Sequence, residues 1–146
     1  MATTVMLSPA QEAEVVNACQ RIALDYSFYA DSGRMGELAG LFAEDGEFEL
    51  FGQTHKGPAA IAKAFGGNAG GDTVSVHSLS NHRIDVVSDG EARASAYVTV
   101  FVGEKGKPSD LIAPFIVGTY HDVYKKTAAG WRFARRSFEP LITKAT

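Results

Sequence analysis

Apolar positions change their spacing halfway along the chain. After Ser8-Pro9, residues Val15, Cys19, Ile22, Tyr26 and Tyr29 recur at steps of three or four, which turns one face of a helix inward. Ser8 caps its start, Pro9 takes the first helical position and Gln11 completes a capping box. The same spacing predicts a short second helix from Arg34 to Ala43, with Met35, Leu38, Leu41 and Phe42 on its apolar stripe and Asp45-Gly46 as its stop. "EFELF" (47–51) alternates as a strand. "HKGPAAIAKAFGG" restarts a helix at Pro58, turns Ile61, Ala64 and Phe65 inward and ends it at Gly66-Gly67.

From Val74 onward the period falls to two. "VSVHSLSNHRIDVV", "EARASAYVTVFVG", "IVGTYHDVYKKT" and "GWRFARRSFEPL" read as strands, separated by a Ser88-Asp89-Gly90 turn, a polar loop and an Ala129-Gly130 turn. Helices followed by a meander predict an α+β domain. Its sheet should be curved and mainly antiparallel, with three N-terminal helices over one face and a pocket between the two layers. No repeat, linker or low-complexity tract divides the 146 residues, so 1–146 is expected to be a single domain.

Charge narrows the partners. Fourteen basic against seventeen acidic residues give a net charge of −3, and the longest basic runs are the pairs Lys125-Lys126 and Arg135-Arg136. That is no concentrated positive face for nucleic acid. Val5-Met6-Leu7 is too short an apolar patch for a signal-peptide core or a membrane span, and the single Cys19 forms no internal disulfide. A soluble cytoplasmic protein with neither nucleic acid nor membrane as partner is the expectation.

Chemistry concentrates in "VHSLSNHRIDV". In a regular strand His77, Leu79, Asn81 and Arg83 share one face, and Val76, Ser78, Ser80, His82 and Ile84 the other, unless a bulge shifts the phase. His77 and Asn81 would then look into the pocket and His82 toward solvent or a partner. An imidazole becomes an oriented base when a carboxylate holds its far nitrogen. Asp31, in "FYADSGRM" at the bend between the first two helices, is the best-placed partner, since Asp45, Asp89 and Asp110 fall in turns or loops that look solvated. The residues alone leave another role open: Asp31 or Ser32 caps the second helix, and His77 is a hydrogen-bonded core or rim histidine.

His55 precedes a turn and reads as exposed; His121 lies on the opposite strand face to Tyr120 and Tyr124. No close histidine pair or cysteine cluster suggests a metal, and no Walker loop, G-x-S-x-G elbow or strand-borne G-x-G-x-x-G suggests another chemistry. "FGGNAGG" (65–71) follows a helix and reads as a flexible connection, and Cys19 has no basic neighbour to activate it. Tyr26, Tyr29, Phe51, Phe65, Tyr97, Phe101, Phe115 and Phe138 are the aromatic candidates for a cavity wall, with Trp131 structural.

"YADSGRMGELAGLFAEDGEFEL", "HKGPAAIAKAF", "HSLSNHRIDV" and "GTYHDVYKKTAAGWRFARRS", in that order over about residues 10–139, resemble the SnoaL-like group of the nuclear transport factor 2-like superfamily. The resemblance implies a cone of curved sheet over three helices, commonly a homodimer or higher homo-oligomer through the sheet's outer face. In similar members, scytalone dehydratase and hexachlorocyclohexane dehydrochlorinase, an aspartate–histidine dyad removes a proton and expels water or chloride. Asp31 and His77 match those positions. The dehydratase's second pocket histidine has no counterpart in "YVTVF", its tyrosine before the aspartate is Ala30 here with Tyr29 one residue earlier, and the dehydrochlorinase's basic pocket residues map only loosely onto Lys126.

The implied function is a cofactor-independent lyase or isomerase of a small hydrophobic, ring-bearing metabolite. His77 is the base, Asp31 its orienter, and Tyr29, Tyr26 or Asn81 the donor to a developing oxyanion or leaving group. Two alternatives stand beside it: a non-catalytic binding or assembly domain, and a ketosteroid-isomerase-like or cyclase-like enzyme with Asp31 as base.

Overall fold

Ser8 opens the first helix as its neighbours dictate. In the computed structural model its hydroxyl accepts the Gln11 N–H at 3.2 Å, and the Gln11 side chain accepts the Ser8 N–H at 2.8 Å. The structure describes residues 6–65, 71–110 and 112–143. Helix α1, Pro9–Asp31, buries Val15, Cys19, Ile22, Ala23, Tyr26 and Ser27. Ser32 closes it: its N–H and its hydroxyl both turn back to the Phe28 carbonyl, at 3.0 and 2.6 Å.

The second helix is shorter than its pattern predicts. α2 spans only Met35–Ala39, begins at Arg34 with no side-chain cap and stops at Gly40. Phe42 and Ala43, expected on that helix, belong instead to β1, Phe42–Leu50. Pairing with the last strand overrides local periodicity there, and the Phe133 N–H donates to the Leu41 carbonyl at 2.8 Å. The expected stop at Asp45-Gly46 lies inside β1, where the register jumps between Phe42 and Glu47. A side chain at Gly46 would stand 2.8 Å from the Ala43 oxygen and 3.0 Å from the Phe133 oxygen, so only glycine fits this bulge.

Phe51-Gly52, at φ 48° and 78°, form a two-residue turn whose twist suits a hairpin. It leads into β2, Gln53–Lys56, and then α3, Pro58–Phe65. The expected Gly66-Gly67 stop and most of "FGGNAGG" lie outside the described residues. β3 (Thr73–Val86), β4 (Glu91–Glu104), β5 (Ile116–Thr127) and β6 (Gly130–Thr143) complete a six-stranded sheet in the order β2-β1-β6-β5-β4-β3. Among the described strands β1 and β6 are the parallel pair, and the other neighbours are antiparallel. The fold is α+β, mixed but mainly antiparallel. Among the described residues no helix is long and apolar enough to cross a membrane.

β3 carries a bulge. Its register with β4 shifts between Ser80 and Arg83, and Asn81 sits at φ 52°. The extra residue flips the alternation, so Asn81 is exposed and His82 turns inward with Ile84 and Val86. The regular-strand reading of Asn81 as a pocket residue and His82 as outward is therefore corrected.

The core is built around an ion pair. Arg136, fully buried, grips Asp122 with two 2.8 Å hydrogen bonds, and Tyr124 donates to the same carboxylate at 3.3 Å. Its guanidinium also lies 3.8 Å from the ring centre of Tyr120, 4.3 Å from Tyr26 and 4.4 Å from Phe133. Burial alone would lower the Arg136 pKa, but Asp122 outweighs it and holds the group charged. Burial pushes the Cys19 thiol up to about 12, with Asp122 adding to the shift, so it stays protonated and unreactive.

Arg136→Met leaves Asp122 buried and unpaired, and a urea titration should show a loss of about 3–5 kcal/mol, most of it recovered in the Asp122→Leu/Arg136→Met double variant. His82 gives a pH signature. Its Nε2 is buried without a partner, and burial lowers its pKa below 6.5 against the opposing pull of Asp122, with Arg136 adding to the lowering. The unfolded chain thus binds the His82 proton more readily. The stability this contributes is present above 6.5 and is lost as pH falls through the lowered folded value. From about pH 7.5 to about 5, His82→Gln should lose less of its urea midpoint than the unaltered protein does.

Candidate active site

The last residue of α1 and the first half of β3 meet at one carboxylate. Asp31 Oδ2 accepts the His77 backbone N–H at 2.9 Å, while Oδ1 stands 2.5 Å from His77 Nδ1 and accepts the Ser75 hydroxyl at 3.3 Å. Ser75 and His77 are two apart on a strand and face the same way. An ionised carboxylate can only accept, so Nδ1 carries the proton of the neutral imidazole and Nε2 keeps its lone pair. Asp31 caps nothing: its oxygens are committed to β3, and α2 begins without a side-chain cap.

His77 looks into a cavity of about 310 Å³ between the two layers. Tyr26 and Ala30 of α1, Met35 of α2 and Ala64 and Phe65 of α3 wall one side, and Phe48, Leu50 and Phe51 close another. Ser75, His77, Val100, Val102, Phe115, Ile116, Tyr120 and Phe138 complete the sheet side. Phe138 can lie flat there because residue 118 is glycine, where a Cβ would come within 2.4 Å of its ring. Phe51 is largely exposed and meets Phe138 with ring centres 5.8 Å apart.

Five of the expected aromatics, Tyr26, Phe51, Phe65, Phe115 and Phe138, line this cavity. Four other expected residues do not. Asn81 is on the outer face because of the bulge; Tyr97, opposite Ser80, is half-exposed on that same face. Phe101 pairs with Val76 and lines, with Pro108 and Ile112, a separate outer hollow. Tyr29 stands outside the cavity wall, with Phe28 5.8 Å away and the Arg34 guanidinium 5.0 Å from its ring centre. Lys126 shares a distant hollow with Asp89 and Trp131. His121 is on the outer face, its Nε2 2.9 Å from Glu139.

Two polar cavity residues, Ser75 and Tyr120, were not singled out from the sequence. Ser75 lies one strand period before His77, and that spacing alone would have found it. Tyr120 sits on the buried face of β5 with Ile116, Gly118, Asp122 and Tyr124. Alternation gives its face, but its closeness to the pocket depends on where α1 crosses the sheet. Ring centres of Tyr26 and Tyr120 are 5.7 Å apart and the rings meet edge to face. Burial raises the pKa of both phenols, so both are protonated donors near neutral pH.

Residues 11–137 match the family described as SnoaL-like domain. No curated protein matches the chain. Among solved structures, a protein of Novosphingobium aromaticivorans DSM 12444 with the provisional name scytalone dehydratase is 28% identical, with TM-score 0.81 over 94% of this chain and 91% of that one. A protein of the same species, described as ntf2-like with a cystatin-like fold, is 26% identical with TM-score 0.72 over 93% and 90%. LinA shares the fold, with TM-score 0.76 and 21% identity over 96% of this chain and 99% of LinA.

The clamp on His77 fixes a tautomer that can be read directly. Nitrogen-15 shifts of the neutral ring should show a protonated Nδ1 and an unprotonated Nε2. Asp31→Asn should mix the tautomers, whereas Ser75→Ala should leave the assignment unchanged.

Proposed function

The chain belongs to the SnoaL-like domain family with the nuclear transport factor 2-like fold, and from that premise we propose that it is an acid–base lyase or isomerase of a small hydrophobic, ring-bearing metabolite, of dehydratase or dehydrohalogenase type. The observation that carries this reading is the imidazole of His77, held from behind by Asp31 and facing an apolar cavity. Nε2 takes a proton from a carbon beside an activating group; the C–H electron pair becomes the new double bond, and the leaving group departs with its own bonding pair. Asp31 stabilises the imidazolium that forms, 2.5 Å away. In an isomerase the same proton returns at another carbon. Neither course calls for a cofactor.

Asp31 as the base itself is less well supported. Both its oxygens are engaged by Ser75 and His77, and it does not line the cavity. Val74, Val76 and Tyr97, exposed on the outer face of β3 and β4, support a homodimer through the sheet as part of the same proposal.

Hydroxylated and halogenated aromatic and alicyclic compounds, screened for elimination, should include a substrate. With it, His77→Ala and Asp31→Asn should each lower kcat by about 10²- to 10⁴-fold while circular dichroism and Tm hold. A wild-type rate in either variant rules the dyad out, and an active His77→Ala beside an inactive Asp31→Asn would make the carboxylate the base.

A further inference from the structure

Phe51 breaks two local rules at once. With Gly52 it makes the two-residue turn between Leu50 and Gln53, the closing pair of the β1–β2 hairpin, and both turn residues sit at positive φ, 48° and 78°. Such turns favour asparagine followed by glycine, because a Cβ is crowded in the left-handed region and asparagine tolerates the crowding best. Among the described residues Asn81 is the other non-glycine at positive φ, and it is of the tolerant type. Phe51 is not. Its ring is also 63% exposed, so little apolar surface is buried in exchange for the strain.

What distinguishes Phe51 is its position. It lines the cavity that His77 faces, and its ring meets that of Phe138 at 5.8 Å and 76°, while Phe138 meets Tyr120 at 5.7 Å. Three rings thus run from the hairpin turn to the sheet wall. Phe115 is a second lining residue with a half-exposed ring, but its N–H donates to the Val100 carbonyl at 2.7 Å and ties its backbone to β4. The turn that carries Phe51 is freer: β2 ends the sheet with β1 as its one neighbour, and a Cβ at Gly52 would meet nothing within 4 Å. Residues held in sparsely populated backbone conformations cluster where a ligand is clamped.

We propose that Phe51 is the cavity's retaining residue, a ring at the mouth that closes over a bound ring-bearing compound, packs on it beside Phe138 and slows its escape. This rests on the reading of the cavity as a ligand site and is independent of the proton transfer at His77. A ligand supplies the apolar surface that the ring otherwise lacks, so closure and binding favour each other. The effect falls on release more than on capture.

Naphthalene, uncharged and fluorescent, is the probe. Phe51→Asn should raise Tm by about 2–4 °C, since asparagine suits the turn and little buried surface is lost. The same variant should release naphthalene about three- to tenfold faster in stopped-flow dilution, with its association rate changed by less than about twofold. Phe51→Tyr keeps the ring and should release the probe at the unaltered rate. Introduced into His77→Ala, Phe51→Asn should give the same acceleration, so failure of the dyad in turnover and failure of this proposal are told apart. In the unaltered protein the Phe51 ring resonances should shift when naphthalene is added. A lowered Tm in Phe51→Asn, release within about twofold of the unaltered rate, Phe51 resonances that stay in place, or no binding of naphthalene each overturns the proposal.

Discussion

A single carboxylate joins the helical layer to the sheet at the point where the cavity opens. Asp31 ends α1, a place where the helix dipole disfavours negative charge. Its oxygens instead face the Ser75 hydroxyl, the His77 amide and the His77 ring. Hydrogen bonds to a charged group are the stronger kind, and here they tie positions 44 and 46 residues apart. The contact that fixes the end of α1 against β3 is thus the one that fixes the imidazole's tautomer. Loosening it would free the imidazole and the cavity wall together.

Behind the opposite wall a second fixed group does comparable work. Apolar residues of similar volume could replace the Asp122–Arg136 pair with little loss of stability. What the pair adds is orientation. A bidentate fork fixes the guanidinium plane, and Tyr26, Tyr120 and Phe133 pack on that cation. One guanidinium nitrogen has no hydrogen-bond partner, a cost the ring contacts offset in part.

Much of this was legible in the chain because it follows from local rules. The capping box at Ser8, the inward face from Val15 to Tyr26 and the strands after Val74 rest on spacing within a few residues. Residue chemistry singled out Asp31 as the best-placed partner of His77 while leaving a helix cap open for it, and the family resemblance matched both positions. What was not legible depends on distant pairing. Phe42 reads as helical until β6 claims it, and Asn81 reads as inward until a bulge opposite β4 flips the strand. Tyr29 follows the helical stripe yet falls just past the cavity, because a step of three from Tyr26 turns it around the helix. Ser75 and Tyr120 share inward faces that alternation supplies, but which inward residues border a hollow is set by how the layers cross.

The charges around the cavity are arranged by depth. Asp31 lies behind the imidazole and Arg136 behind the phenols, and among the described residues no lysine, arginine, aspartate or glutamate lines the cavity. An uncharged ligand can therefore enter without meeting a desolvated ion, and binding costs little in electrostatic terms. In the proposed reaction the situation would reverse once a proton left carbon: positive charge would appear on the imidazole beside Asp31, and negative charge on the ligand in the cavity. In a medium that screens poorly, both interactions grow as the charges separate, so their stabilisation favours the transition state over the bound ground state. Under the proposed function, the depth ordering would let a hydrophobic hollow accept neutral molecules and still answer to charge.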